Sequence, residues 1–198
     1  MPKGPSPLIA SQLRESSRVL AATARLAPRI AEAARLLLSA YRTGHKALIF
    51  GNGGSAADAQ HFAAELVGRF ERNRPPLPAL ALTVNSSDLT AIGNDFAFAE
   101  VFARQLEAHA RAGDVAVAIT TSGNSPNVLR AVAAARRLGL ATVGLTGGQG
   151  GRLKDAVDVC VRVPAESVAR VQEAHCAIIH VWCGMIEDGL FAASPKAH

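Results

Sequence analysis

Five short, mostly apolar runs, at 47–50, 79–84, 115–120, 142–146 and 157–163, alternate with longer helix-patterned segments, and this alternation leaves few folds open. Strands separated by helices build a layered α/β fold around a parallel sheet, so the expectation is a five-stranded parallel sheet flanked by helices. Ahead of it, apolar positions at Leu8, Leu13, Val19, Leu20 and Leu26, then Ile30, Ala33, Leu36, Leu37 and Tyr41, follow helical spacing and break near Pro28. Two helices are predicted there. The final segment, 167–191, is apolar almost all round, with Ile178, Ile179, Val181, Trp182, Met185 and Ile186; such a helix is buried or packs on another subunit. The only Pro-rich connection, RNRPPLP at 72–78, is too short to separate domains. Residues 1–198 therefore read as one domain: a helical segment at 6–44, then sheet and helices at 46–192.

Of the 198 residues 49% are hydrophobic, enough for a sizeable core. The net charge of +5 comes from arginines scattered along the chain, and one Trp and one Tyr are all that is available for stacking on bases. That pattern suits steering of small anions and argues against nucleic acid. No apolar run reaches the roughly 18 residues of a membrane span, and MPKGPSPLIASQL lacks the apolar core of a signal peptide. The expectation is a cytoplasmic protein with no membrane partner. Cys160, Cys176 and Cys183 are odd in number, lie in apolar surroundings and form no CxxC pair, so they read as reduced core residues.

Three polar constellations punctuate this frame. The run 47–50 leads into Gly51-Asn52-Gly53-Gly54-Ser55 and then a helix-forming segment to Val67, a strand, turn and helix start whose free amides suit a phosphate. On that helix His61 and Glu65 are four residues apart on one face, placed to share a metal or a substrate proton, or to form a surface pair. A second such turn, Thr120-Thr121-Ser122-Gly123-Asn124-Ser125, offers four hydroxyls at a helix start; capping accounts for one or two of them and a phosphate for all. Both turns should open at the carboxyl ends of the strands. The third constellation is Gln172-Glu173-Ala174-His175 with His180 on the last helix. Gln172 and His180 share a face but stand ~12 Å apart along the axis, so both would lean inward to meet one ion. For His180 a hydrogen-bonded core role competes. Asn94-Asp95 after Gly93 reads as a short polar turn or a cap.

GNGGSAADAQHFAAELVGRF at 51–70, TSGNSPNVL at 121–129, GLTG at 144–147 and QEAH at 172–175 with His180 resemble the sugar isomerase (SIS) domain, and within it the phosphoheptose isomerases, over almost the whole chain. The resemblance implies a SIS fold whose N-terminal helices pack in a homotetramer. It implies conversion of a sugar phosphate, sedoheptulose 7-phosphate, into D-glycero-D-manno-heptose 7-phosphate, toward the heptose of surface polysaccharides such as lipopolysaccharide. Carried across, it puts zinc on His61, Glu65, Gln172 and His180, sugar contacts on Asn52, Gly53, Gly54, Asn94, Asp95 and Gln172, and phosphate contacts on Ser55, Thr120, Thr121, Ser122 and Ser125. Glu65 becomes the principal base and His180 the partner acid. The loop departs from many relatives in opening Thr120-Thr121, which keeps the hydroxyls and adds methyls.

FERNRPPLPALAL at 70–82 also resembles a replication-initiator-associated SIS protein not known as an enzyme. Such an adaptor has no use for the Glu65 and His180 pair. Arabinose 5-phosphate isomerases are a further relative, but they usually carry additional repeats after the SIS domain, and no such segment follows in 198 residues.

Overall fold

The computed structural model describes residues 5–192; the outermost residues of the expected 1–198 domain lie outside that range. Its elements run α1 (Pro5–Thr23), a 3-10 turn, α2 (Ala27–Arg42), β1 (Ala47–Gly51), α3 (Gly54–Val67), β2 (Ala79–Ala81), α4 (Ser86–Asp95), a second 3-10 turn, α5 (Val101–His109), β3 (Val115–Ile119), α6 (Pro126–Arg137), β4 (Ala141–Gly147), α7 (Leu153–Ala156), β5 (Val159–Val163) and α8 (Val168–Phe191). The five strands form one all-parallel sheet in the order β2-β1-β3-β4-β5, as the alternation predicts. Every residue of β1 and β3 is buried, which is what a sheet covered on both faces requires.

Alternate residues along each strand separate two cores. Ala47 and Ile49 of β1 point to a layer holding α2, α3 and α8 around Leu37, Phe62 and Trp182. Leu48 and Phe50 point to the opposite layer, where α5 and α6 supply Phe102, Leu106, Val128 and Val132. At the amino ends of the strands the buried Asp114 accepts from Lys46 N, Lys46 Nζ and Arg111 N at 2.6–3.0 Å. Burial raises its pKa, but those donors outweigh burial and hold it below the usual carboxylate range.

Two expectations are corrected. The run at 79–84 yields a strand of only three residues, because Leu82 N makes a last bond to Ile49 O and the chain then turns so that the Asn85 side chain can cap α4 through Ser87 N and Asp88 N. Asn94 and Asp95 lie in the last turn of α4 rather than in a loop. The α4 sequence SSDLTAIGND has too few apolar positions to announce a helix, and the cap nucleates it instead.

Candidate active site

β1 and β3 are neighbours, so the turns that follow them emerge side by side. Asn52 and Asn127 bind them together: each side-chain amide donates to the other's carbonyl oxygen, at 2.9 and 2.8 Å, and Asn127 Oδ1 also accepts from Val128 N. The Asn52 carboxamide thus joins the two turns. Ser55 is buried in the first turn of α3. In the second turn Thr120 Oγ1 lies 2.9 Å from Ser125 Oγ and 3.5 Å from Ser122 Oγ, so three of the predicted hydroxyls converge. The Thr121 backbone carbonyl accepts from Gly147 N and Thr146 Oγ1.

This loop is held from behind by residues 147–153. Gly123 takes φ +67°, and a Cβ there would fall on the Gly150 carbonyl, so only glycine fits. Leu153 N donates to Gly123 O at 2.9 Å and Arg152 N to Asn124 Oδ1 at 3.0 Å.

α3 and α8 pack against each other, and their facing side chains form a cluster. His61 Nε2 lies 3.1 Å from Glu65 Oε1 and 3.3 Å from His180 Nε2. The two imidazoles meet edge to face, and Phe70 stacks on His180 with centroids 5.5 Å apart. His180 is therefore not a core histidine capped by backbone; it faces the pair on α3. His61 and Glu65 retain 37% and 25% side-chain exposure, so the cluster is open to a ligand.

The end of α3 that carries Glu65 is anchored by a segment the sequence presents only as a linker. Arg74 donates to the Glu65 and Leu66 carbonyls at 2.8 and 2.7 Å, covering carbonyls left free at a helix end, and pairs with Glu187 of α8 at 3.0 Å, both side chains almost wholly buried. Glu187 also accepts from the Phe70, Glu71 and Arg72 backbone N–H groups. Burial raises the Glu187 pKa, but these donors outweigh it and hold the carboxyl below its ordinary value. The same carboxylate thereby fixes the ring that stacks on His180.

Other candidate residues are not drawn into the cluster. The Gln172 carboxamide packs on Gly54, where any Cβ would collide with it, and Gly54 lies seven residues, or ~10 Å of helix, before His61. Asn94 and Asp95 are exposed and hydrogen-bonded to each other at 2.8 Å. Gly53 caps α3 and is exposed.

Two residues outside the predicted site stand in the cluster. Asp58, one turn before His61, has a buried Oδ2 with no partner among the described residues; burial pushes its pKa up to about 6 against the opposing charge of His61. Cys176 is corrected from a core residue: its Sγ lies 3.9 Å from His61 Nδ1 and 4.0 Å from His180 Nε2. Burial, and then the carboxylates of Asp58 and Glu65, push this thiol up. Helical spacing could have found both, since 58, 61 and 65 share a face of α3 as 172, 176 and 180 share a face of α8. A groove of about 620 Å³, lined by Arg29, Lys154, Cys160 and Arg162 among others, contains none of the candidate residues.

A carboxylate and an imidazole within one contact of each other can move a proton, and a hydroxyl-lined turn at a helix start can anchor an anionic end. A SIS-domain family model matches residues 13–147. The chain is 55% identical over 184 residues to the phosphoheptose isomerase of Geobacter metallireducens, covering 92% of this chain and 97% of that one. Among solved structures, a phosphoheptose isomerase from Neisseria gonorrhoeae superposes with TM-score 0.88 at 43% identity, over 92% of this chain and 98% of that one. One from Francisella tularensis superposes with TM-score 0.91 at 39% identity, over 94% of this chain and all of that one. The adaptor reading is not favoured by these likenesses. A five-stranded parallel sheet, a carboxylate–imidazole cluster, a hydroxyl-lined turn and this depth of similarity lead to one conclusion: the chain belongs to the phosphoheptose isomerases of the SIS-domain family.

Proposed function

We propose that this protein isomerises sedoheptulose 7-phosphate to D-glycero-D-manno-heptose 7-phosphate, supplying heptose for surface polysaccharide, and that it does so in the cytoplasm as one 1–198 SIS domain in a homotetramer. The observation that carries the reading is that His61 stands within 3.1–3.3 Å of both Glu65 and His180, in a chain that also folds the polar turn at 120–125 into converging hydroxyls. Ser55, Thr120, Thr121, Ser122 and Ser125 hold the phosphate, and α3 adds its free amides and positive end. Anchoring one end of a seven-carbon chain presents the other to the cluster and removes most of the orientational entropy from the proton transfer. Asn52, Gly53, Gly54, Asn94, Asp95 and Gln172 contact the hydroxyls between.

Glu65 takes the proton from C1 of the ketose. The C–H electron pair forms the C1=C2 bond, and the C2 carbonyl oxygen accepts a proton from His180, giving an enediol. In the second half His180 takes the proton of the C1 hydroxyl as that oxygen becomes the aldehyde, and Glu65 returns its proton to C2. The Arg74 and Glu187 clamp keeps both groups in place while charge develops between them.

The donor set suits a divalent metal. Bond lengths of about 2.0–2.1 Å to imidazole and carboxylate put donors about 3.3 Å apart round a tetrahedral ion, and His61 already stands at that spacing from both Glu65 and His180. Zinc is the metal we propose, with Gln172 the fourth residue implied by the resemblance. Bound there, it would supply Lewis-acid polarisation of the carbonyl.

Homotetramer formation is supported by α1, on which Leu8, Ile9 and Leu13 are each more than half exposed while the helix packs on α8. Among the described residues no helix is long and apolar enough to cross a membrane.

The deciding experiment is turnover of sedoheptulose 7-phosphate by wild type and Glu65→Gln. Loss of about 10²- to 10⁴-fold in kcat in a folded variant is expected for a proton-transfer residue; near-normal turnover would remove Glu65 from that role.

A further inference from the structure

We propose that Cys176 is a direct ligand of the metal, so that the site of this chain carries a thiolate as well as imidazole and carboxylate. The inference rests on the metal-binding reading of the same cluster. On α8, residues 172, 176 and 180 form one stripe, and Cys176 occupies the turn between the two residues that the resemblance assigns. Gln172 is two turns from His180 and packs on Gly54. The thiol fills the gap: Cys176 Sγ and one nitrogen each of His61 and His180 lie within 4.8 Å of one another, and all three residues are half-buried.

The spacing is close to that of a bound ion. A sulfur bond of about 2.3 Å and imidazole bonds of about 2.0–2.1 Å place S and N about 3.5 Å apart in a tetrahedral site. Cys176 Sγ stands 4.0 Å from His180 Nε2, so about half an ångström of closure completes the contact. As the metal–sulfur bond forms, the S–H bond breaks and its proton passes to solvent; nothing is oxidised or reduced. A thiolate beside two imidazoles moves the site toward softer divalent ions than an all-N/O set would take.

Cobalt(II) titrated into metal-free protein tests this without any turnover. The wild type is expected to show sulfur-to-cobalt charge-transfer absorption at one cobalt per chain, and Cys176→Ser to lose it while Cys160 and Cys183 remain. Cadmium competition should show binding to Cys176→Ser weakened at least about tenfold, the lower bound reached by removing even an outer partner of a metal site. Cobalt bound with only its weak ligand-field bands, or a charge-transfer band that persists in Cys176→Ser, would overturn the thiolate. In either case Glu65-dependent isomerisation could still stand. Failure of cobalt to bind at all would overturn both the thiolate and the metal site, and heptose turnover assayed on the same sample would then report separately on the isomerase.

Discussion

His175 is fully buried, and neither ring nitrogen has a hydrogen-bond partner among the described residues. Burial pushes its pKa down to about 4; the Thr146 backbone opposes that shift but stands outside bonding geometry. The ordinary value is about 6.5, so between these limits the unfolded chain binds a proton that the folded one refuses. His175 therefore costs nothing above about pH 6.5, and stability falls as pH drops toward 4, by about 3 kcal/mol in all. Urea midpoints of metal-free wild type and His175→Leu at pH 7.5, 6 and 5 check this: the gap between the two proteins should move in favour of the variant on acidification. A pH-independent gap would mean that His175 is accommodated when charged. No periodicity announces such a residue, because a histidine in the QEAH run looks the same whether it faces solvent or core.

At the scale of elements, the segment after α3 matters more than its composition suggests. Arg74 and Glu187 form a pair that is almost wholly buried and joined to seven backbone groups, the Glu65, Leu66, Gly68 and Pro75 carbonyls and three N–H groups at 70–72. Removing one partner strands the other charge, so Arg74→Met should cost about 3–5 kcal/mol, read as a lowered denaturation midpoint. The double change Arg74→Met with Glu187→Leu should recover part of that loss, since no charge is then stranded. A single variant with wild-type stability would show that the clamp is incidental. The parallel sheet and the long helices were legible in the sequence because burial on both faces leaves continuous apolar runs. His61 and Glu65 were legible as a pair because they are four apart on one helix. The clamp was not, since its partners are more than a hundred residues apart and only the fold brings them together. Cys176 was misread because an apolar neighbourhood in sequence says nothing about which side of α8 meets α3.

For the whole molecule the telling surface is α1. Leu8, Ile9, Leu13 and Leu20 are exposed on it, while Arg170 of α8 fixes the helix to the body through the Gln12 carbonyl and Ser16 Oγ, both at 2.6 Å. Burying such side chains against further copies of the chain is worth about 1.5–3 kcal/mol each. Leu13→Asp touches no core contact, yet in a tetramer it would place a charge in an apolar interface. Light scattering is expected to give four chains for wild type and fewer for the variant; equal masses would mean that α1 lies outside the interface.

The turn at 121–124 and the turn at 147–151 lie backbone against backbone: Gly123 faces the Gly150 carbonyl, and a Cβ at Gly151 would strike the Ser122 carbonyl. Neither Gly123 nor Gly151 has room for a side chain, so substitutions at these two positions spoil the packing of the turns instead of reshaping it. On the reading proposed above, in which the first turn holds a phosphate, this is a fixed fitting that offers no handle for adjusting which sugar arrives attached to it. Anyone retargeting this scaffold to a different sugar would leave both turns intact and exchange instead the exposed side chains proposed to meet the sugar, such as Asn94 and Asp95, one at a time.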